Sequence, residues 1–137
     1  MTMQLKDLAR QTRGASAIEF ALLAPALFMM MVGITQVGFL SFASAGLKYA
    51  VAEGARFATT HPRPSIAQIE AKVKKRRFGI APDRFKTFAI VQGVSDSAEY
   101  YDITVTYTVP LKFVFVEIPP VTLRETRRAY IYALPLA

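Results

Sequence analysis

The sequence predicts an α+β protein: a long N-terminal transmembrane helix packed on a small antiparallel β-sheet of three to four strands, with one additional short helix. Two observations lead to this class. No Asp, Glu, Lys or Arg occurs in residues 20–47, whereas apolar and polar residues alternate regularly in residues 101–109. Two closely spaced prolines after residue 60 would end a helix. We therefore expect a helix over residues 15–60 and an α+β domain over residues 61–137.

The apolar run is long enough to cross a bilayer. A helix over residues 20–47 would be about 42 Å long at ~1.5 Å per residue, against a hydrocarbon core of about 30 Å. We predict that the transmembrane part lies at about residues 20–47, with some tilt. Pro25 lies within this run and removes one helical hydrogen bond, so we expect a local kink near residues 21–25.

A carboxylate lies at the entrance to the apolar run. Glu19 directly precedes Phe20, the first residue of the run. Placing a charged side chain at the centre of a bilayer costs about 2.5–3.5 kcal/mol on insertion scales, and less near the interface. An ionisable residue at this place therefore indicates a function, and it requires either a positively charged partner or access to the lipid headgroups.

The residues around this carboxylate form a recognisable pattern. Gly14 is followed by four small or apolar residues beginning at Ala15, and then by Glu19 and Phe20 at the start of the apolar helix. This pattern resembles the class III signal of type IV pilin-like proteins. The resemblance implies that a prepilin peptidase removes residues 1–14, so that Glu19 becomes the fifth residue of the mature chain. Its carboxylate could then pair with the Ala15 α-amine at i+4 in its own chain. The family resemblance instead implies pairing with the amine of a neighbouring subunit.

Within that group the chain is most similar to the TadE-like proteins of the tight-adherence, or Flp-type, pilus system. Phe20 stands where the major pilin usually has tyrosine, and residues 61–137 form a further domain. Both features imply a minor pilin or pseudopilin that is a structural subunit in the assembly of an adhesive pilus. The implied location is the bacterial inner membrane, with a cytoplasmic N-terminus and an exported C-terminal domain. The implied partners are prepilin peptidase, other pilins or pseudopilins, and the pilus assembly platform.

Small residues recur every four positions in the C-terminal part of the predicted helix. They are Gly46, Ala50, Gly54 and Ala58. Such a stripe allows another backbone to approach closely. The partner is either the protein's own domain, which we favour, or the same helix of a neighbouring subunit.

A short second helix is predicted from Ser65. Gln68 follows three residues later, which matches a capping box, and an apolar stripe is formed by Ile66, Ile69 and Val73. Cations close the helix, where they suit the negative end of its dipole: Lys72, Lys74, Lys75, Arg76 and Arg77. A cluster of this kind can bind phosphates, but no aromatic stacking platform is interleaved with it, so we do not expect nucleic acid as a partner.

The rest of the sequence has a strand pattern. We predict strands at residues 85–94, 101–109 and 121–133, with a turn at residues 93–97. Residues 111–118 are apolar without clean alternation, and they give an optional fourth strand. Only one face of such a sheet is clearly apolar, and the long helix is its natural cover.

Nothing in the sequence assembles an active site. The chain has no cysteine and a single histidine, His61, so there is no Cys-ligated zinc and no second histidine for a metal. There is no glycine-rich phosphate loop, and the carboxylates are scattered. We predict no enzyme, no cofactor, no metal site and no small-molecule substrate.

Three alternatives stay open at the level of sequence. The chain could be an uncleaved single-pass membrane protein whose exported domain binds an envelope or secretion-complex partner. It could carry a conventional secretory signal cut after Ala45, where Ala43-Ser44-Ala45 precedes Gly46. It could also act on nucleic acid from the cytoplasmic side through the cations of residues 72–77.

Overall fold

The computed structural model describes residues 3–75, 80–96, 98–113 and 117–131. Two helices precede a three-stranded antiparallel sheet: α1 (Met3–Ala58), α2 (Ile66–Lys75), β1 (Phe85–Ser95), β2 (Ala98–Val109) and β3 (Val121–Ile131). A short 3-10 turn, Pro82–Arg84, leads into β1. The predicted α+β class is confirmed.

Helix α1 is assigned as one element and includes Pro25. At ~1.5 Å per residue, its 56 residues correspond to a length of about 84 Å. Two threonines end it: the backbone amide and hydroxyl of Thr59 donate to the Arg56 carbonyl, and those of Thr60 donate to the Phe57 carbonyl. These bonds satisfy carbonyls that the last turn would otherwise leave without partners.

The capping box of α2 is confirmed. The Ser65 amide donates to the Gln68 side-chain oxygen at 2.8 Å, and the Gln68 amide donates to the Ser65 hydroxyl at 3.3 Å. Ile69 and Val73 are buried as expected. Ile66, the first residue of the stripe, is 45% exposed and lies outside the core.

The sheet is a simple meander in the order β1-β2-β3. Ser95 pairs with Ala98, so the first connection is a tight hairpin in which Asp96 adopts a φ of 51°. The turn is therefore narrower than the predicted residues 93–97. Gly93 belongs to β1, where a Cβ would lie 2.5 Å from the Tyr100 ring, so the glycine makes room for that ring.

The optional fourth strand is not formed by the described part of residues 111–118. There, Lys112 and Glu117 make one isolated antiparallel bridge, and residues 114–116 lie outside the described residues. The third strand begins at Val121 as predicted. Its predicted last residues, 132–133, also lie outside the described residues.

The apolar face of the sheet packs against both helices. Alternate residues of β2 are buried, which confirms the predicted alternation: Tyr101, Ile103, Val105, Tyr107 and Val109. They meet a set of small and branched side chains from the helices: Ala43, Leu47, Ala50, Val51 and Ala58 of α1, and Ile69 and Val73 of α2. Fully burying a branched or aromatic side chain contributes about 1.5–3 kcal/mol, so this contact is the main source of stability for the domain.

The opposite face of the sheet is polar and carries an ion pair between neighbouring strands. Arg128 Nε and Nη2 donate to the two carboxylate oxygens of Asp102 at 2.8 and 2.7 Å. The guanidinium also lies 3.9 Å from the centre of the Tyr100 ring. The bidentate hydrogen bonds from Arg128 hold the pKa of Asp102 below its usual value.

Replacing Asp102 with asparagine is expected to lower the Tm slightly at neutral pH. The variant should also lose less Tm than the wild type when the pH falls. A carboxylate whose pKa is depressed in the folded state contributes stability above its unfolded pKa of about 3.9, and this contribution is lost as the pH falls through the lower folded value. The pair is solvent-accessible, so we expect a shift of only a few degrees. Thermal unfolding of the wild type and Asp102→Asn from pH 7 to pH 2 measures this. Asp96→Asn, at a position where asparagine tolerates positive φ, is the control.

Candidate functional site

Residues 18–42 of α1 present an exposed apolar surface. Thirteen of its large apolar side chains are 46–76% exposed: Ile18, Phe20, Leu22, Leu23, Leu27, Phe28, Met29, Met30, Met31, Ile34, Val37, Phe39 and Phe42. The helix contains an 18-residue window with a mean hydropathy of 2.1, no part of which is buried by the protein. A surface of this size and composition requires lipid or other apolar helices around it. The helix is long and apolar enough to cross a membrane.

Further along α1, the helix comes into contact with the domain within about two turns. The Gln36 side-chain amide donates to the Lys112 carbonyl at 2.9 Å, Leu40 is partly buried, and Ala43 belongs to the core. Residues 36–43 are therefore the junction between residues 15–35 of α1, called the free half below, and residues 44–58, called the packed half. The predicted transmembrane part, at about residues 20–47, shares its last residues with the core, because Ala43 and Leu47 are buried there.

The distance from Glu19 to this junction matches the thickness of a bilayer. At ~1.5 Å per residue, Gln36 lies about 25 Å and Ala43 about 36 Å along the helix from Glu19. The hydrocarbon core is about 30 Å thick. With the domain at one membrane surface, Glu19 lies at the opposite interface rather than in mid-bilayer. The cost of its charge is therefore at the lower end of the range for membrane carboxylates.

The motif residues lie together at the end of α1 remote from the domain. The Gly14–Ala15 peptide bond is part of the helix, and Glu19 and Phe20 follow within about one turn and a half. Both side chains are exposed. Glu19 makes no ion pair with any of the side chains that the structure describes, which begin at Ala15. Its carboxylate is thus available to a partner outside those contacts.

The helical backbone at Gly14 bears on any cleavage there. A protease must open the helix locally to reach the peptide bond, and a glycine stabilises a helix interior by about 1 kcal/mol less than alanine does. Gly14 therefore makes local opening easier at the bond that the sequence motif marks.

The small-residue stripe lies in the packed half of α1. Gly46, Ala50, Gly54 and Ala58 are all buried. At Gly54 the approach is closest: a Cβ would lie 2.2 Å from Val73 Cγ2 and 4.0 Å from Ile69 Cγ2. The stripe therefore packs against α2 and the domain of its own chain. The structure does not bring it together with the Glu19 motif.

The cationic end of α2 makes contacts within the domain. The Lys72 and Lys74 ammonium groups each lie 5.2 Å from a ring centre, that of Phe57 and that of Phe88 respectively. Lys74 also pairs with Glu70. Arg76 and Arg77 lie outside the described residues. Among the described residues, no three His, Cys, Asp or Glu side chains are grouped so that they could hold a metal ion.

Sequence reasoning missed the polar residues of the junction. Gln36 is the single carboxamide in the apolar run, and that anomaly could have marked the place where the domain begins. Arg84 and Lys112 carried no such signal, because isolated cations near turns are ordinary. Only the folded chain places them beside α1.

Comparison with protein families gives a match within α1. Residues 14–56 match the family model described as TadE-like protein. Helix α1 contains a TadE-like segment. The predicted resemblance is confirmed. No curated protein and no solved structure gives a significant match to the chain.

The TadE-like segment begins at Gly14 and ends two residues before the end of α1. It therefore includes Glu19, the free apolar half and most of the small-residue stripe. The sheet lies beyond the matched range. The match makes the sequence of α1 similar to that of TadE-like proteins, and the apolar helix suggests membrane anchoring.

Proposed function

We propose that the protein is a minor pilin or pseudopilin, a structural subunit needed for the assembly of a Tad/Flp-type adhesive pilus. Prepilin peptidase cuts it between Gly14 and Ala15. Its N-terminus lies on the cytoplasmic side of a bacterial inner membrane, and its domain is exported. One observation supports this proposal: the exposed Glu19 makes no ion pair with the described side chains and lies four residues after Ala15, in a TadE-like segment.

Cleavage supplies the cation that Glu19 requires. The new Ala15 α-amine is positively charged, and the i+4 spacing brings it within reach of Glu19 in the same chain or leaves it to a neighbour. At the edge of the lipid the effective dielectric constant is lower than in water, so an unpaired charge is costly and a pair between two subunits is strengthened. Pairing between chains would fix the axial register of adjacent helices.

The exposed apolar half of α1 is the surface through which subunits would pack. Thirteen large apolar side chains of this surface are 46–76% exposed, in contrast to the buried stripe of Gly46, Ala50, Gly54 and Ala58. A subunit leaving the membrane for a filament can exchange lipid contacts for contacts with neighbouring helices along this half. The packed half stays with the domain throughout.

The proposal is tested at the N-terminus of the mature chain. We expect co-expression with an active prepilin peptidase in a bacterial host to yield a protein that begins at Ala15, as measured by N-terminal sequencing and intact mass. Gly14→Leu should keep the full-length mass. Gly33→Leu is the matched control, because a Cβ at Gly33 meets no atom within 4 Å, and it should be cleaved normally.

Two results would overturn the proposal. A chain that still begins at Met1 in the presence of the peptidase would be an uncleaved single-pass membrane protein. A chain that begins at Gly46 would have lost a secretory signal, and with it the TadE-like motif.

A further inference from the structure

A cleft lies at the junction between α1 and the end of the sheet. Its volume is about 340 Å³. Gln36, Phe39 and Phe42 line it from the helix, and Arg84 and Lys112 line it from the domain. The hydrogen bond from Gln36 to the Lys112 carbonyl fixes the two sides relative to each other.

The two walls of the cleft differ in chemistry. Phe39 and Phe42 are exposed aromatic side chains, continuous with the apolar half of α1. Arg84 and Lys112 are exposed cations, and neither forms an ion pair with a side chain in the described ranges. Among the described residues none that lines the cleft is acidic, although Glu117 forms a backbone bridge with Lys112 just outside the lining. It therefore presents positive charge beside a lipid-facing aromatic surface.

The position of the cleft matches the headgroup layer. It lies at residues 36–43 of α1, about 25–36 Å along the helix from Glu19, where the hydrocarbon core would end. Cations near an anionic membrane surface attract its lipid headgroups, and apolar phenylalanine side chains suit the adjoining acyl chains.

We propose that the cleft binds one anionic phospholipid. The phosphate lies between Arg84 and Lys112, and the acyl chains run down along Phe39 and Phe42 into the bilayer. The lipid would orient the domain on the membrane surface and set the level at which α1 leaves it. This inference rests on membrane insertion of α1 and is independent of cleavage and pilus assembly.

Lipid binding to the full chain tests the proposal. The protein in detergent is titrated with phosphatidylglycerol or phosphatidylcholine of the same acyl chains, and bound lipid is counted by native mass spectrometry. We expect one phosphatidylglycerol to bind at least tenfold more tightly than phosphatidylcholine. Each cation near an anionic lipid surface raises the affinity about fivefold. The double variant Arg84→Gln/Lys112→Gln should therefore bind phosphatidylglycerol about thirtyfold more weakly than the wild type.

A matched double variant separates the site from general charge. Lys48→Gln/Lys75→Gln removes two exposed cations that do not line the cleft and should bind phosphatidylglycerol like the wild type. Phosphatidylglycerol should also raise the Tm of the wild type and of this control but not that of Arg84→Gln/Lys112→Gln. The Tm without lipid shows whether each variant is folded. If Arg84→Gln/Lys112→Gln is unfolded, Lys112→Gln alone replaces it, because the hydrogen bond from Gln36 goes to the backbone carbonyl of Lys112 and does not depend on its side chain.

Four outcomes would overturn the proposal. They are equal affinity of the wild type for the two lipids, unchanged binding by the folded cleft variant, an equal loss in Lys48→Gln/Lys75→Gln, and displacement of the lipid by millimolar inorganic phosphate. The last would mean that the cleft takes a free phosphate rather than a lipid.

Discussion

Replacing Glu19 with glutamine is expected to abolish pilus assembly while leaving membrane insertion and the fold of the domain unchanged. A hydrogen bond to a charged group stabilises a contact by about 1.5–3 kcal/mol. Its loss would weaken the equilibrium constant for adding each subunit roughly ten- to a hundredfold. Glutamine keeps the size of the side chain and removes its charge. Because loss of a charge makes insertion easier, poor insertion cannot explain a failure to assemble.

The measurement is the amount of assembled pilus that carries the subunit, together with the mass of the mature chain and its recovery in the membrane fraction. Glu70→Gln is the matched control: it removes a carboxylate of the same kind, paired with Lys74 on the surface of the domain, and should assemble normally. Glu19→Asp keeps the charge on a shorter side chain and should retain part of the pilus assembly. Normal assembly by Glu19→Gln after cleavage at Ala15 would contradict the pairing mechanism.

Local patterns in the sequence predict the individual elements well. Ser65 and Gln68 determine the start of α2 because their reciprocal hydrogen bonds involve only neighbours in the chain. The strict alternation in β2 assigns its buried face in the same way. The TadE-like motif is equally local, since Gly14, Glu19 and the apolar run that follows are contiguous.

Long-range contacts set the features that the sequence does not predict. The strand order β1-β2-β3 depends on pairings that the alternation permits but does not select. The hydrogen bond between Gln36 and Lys112 joins residues 76 positions apart, and it marks where the domain begins to pack against α1. Composition alone makes residues 36–47 look like a continuation of the membrane segment.

The division of α1 into two halves gives its residues different tasks. In the free half, substitutions should change assembly and lipid contacts without affecting the stability of the domain. In the packed half they should act first on stability, because the small residues there face α2 and the sheet. A substitution at Gly54 therefore tests the role of the packed half, as a substitution at Glu19 tests that of the free half.

Gly54→Leu is expected to lower the stability of the domain by about 3 kcal/mol or more. A Cβ at this position would lie 2.2 Å from Val73 Cγ2, and the branched valine cannot move aside by a simple rotation of a flexible chain end. Overpacking by added methylene groups costs about 1–3 kcal/mol, and leucine adds three further carbons beyond the Cβ. For a domain of this size, the expected fall in Tm is roughly 12–24 °C.

Thermal unfolding of the full chain in detergent measures this effect, and Gly38→Leu is the control. Gly38 lies on the same helix, but a Cβ there meets no atom within 4 Å, so its Tm should stay unchanged. Gly54→Leu should still insert and be cleaved after Gly14, because neither step uses the packed half. If Gly54→Leu instead kept the wild-type Tm and lost only assembly, the stripe would pack against a neighbouring subunit rather than against α2.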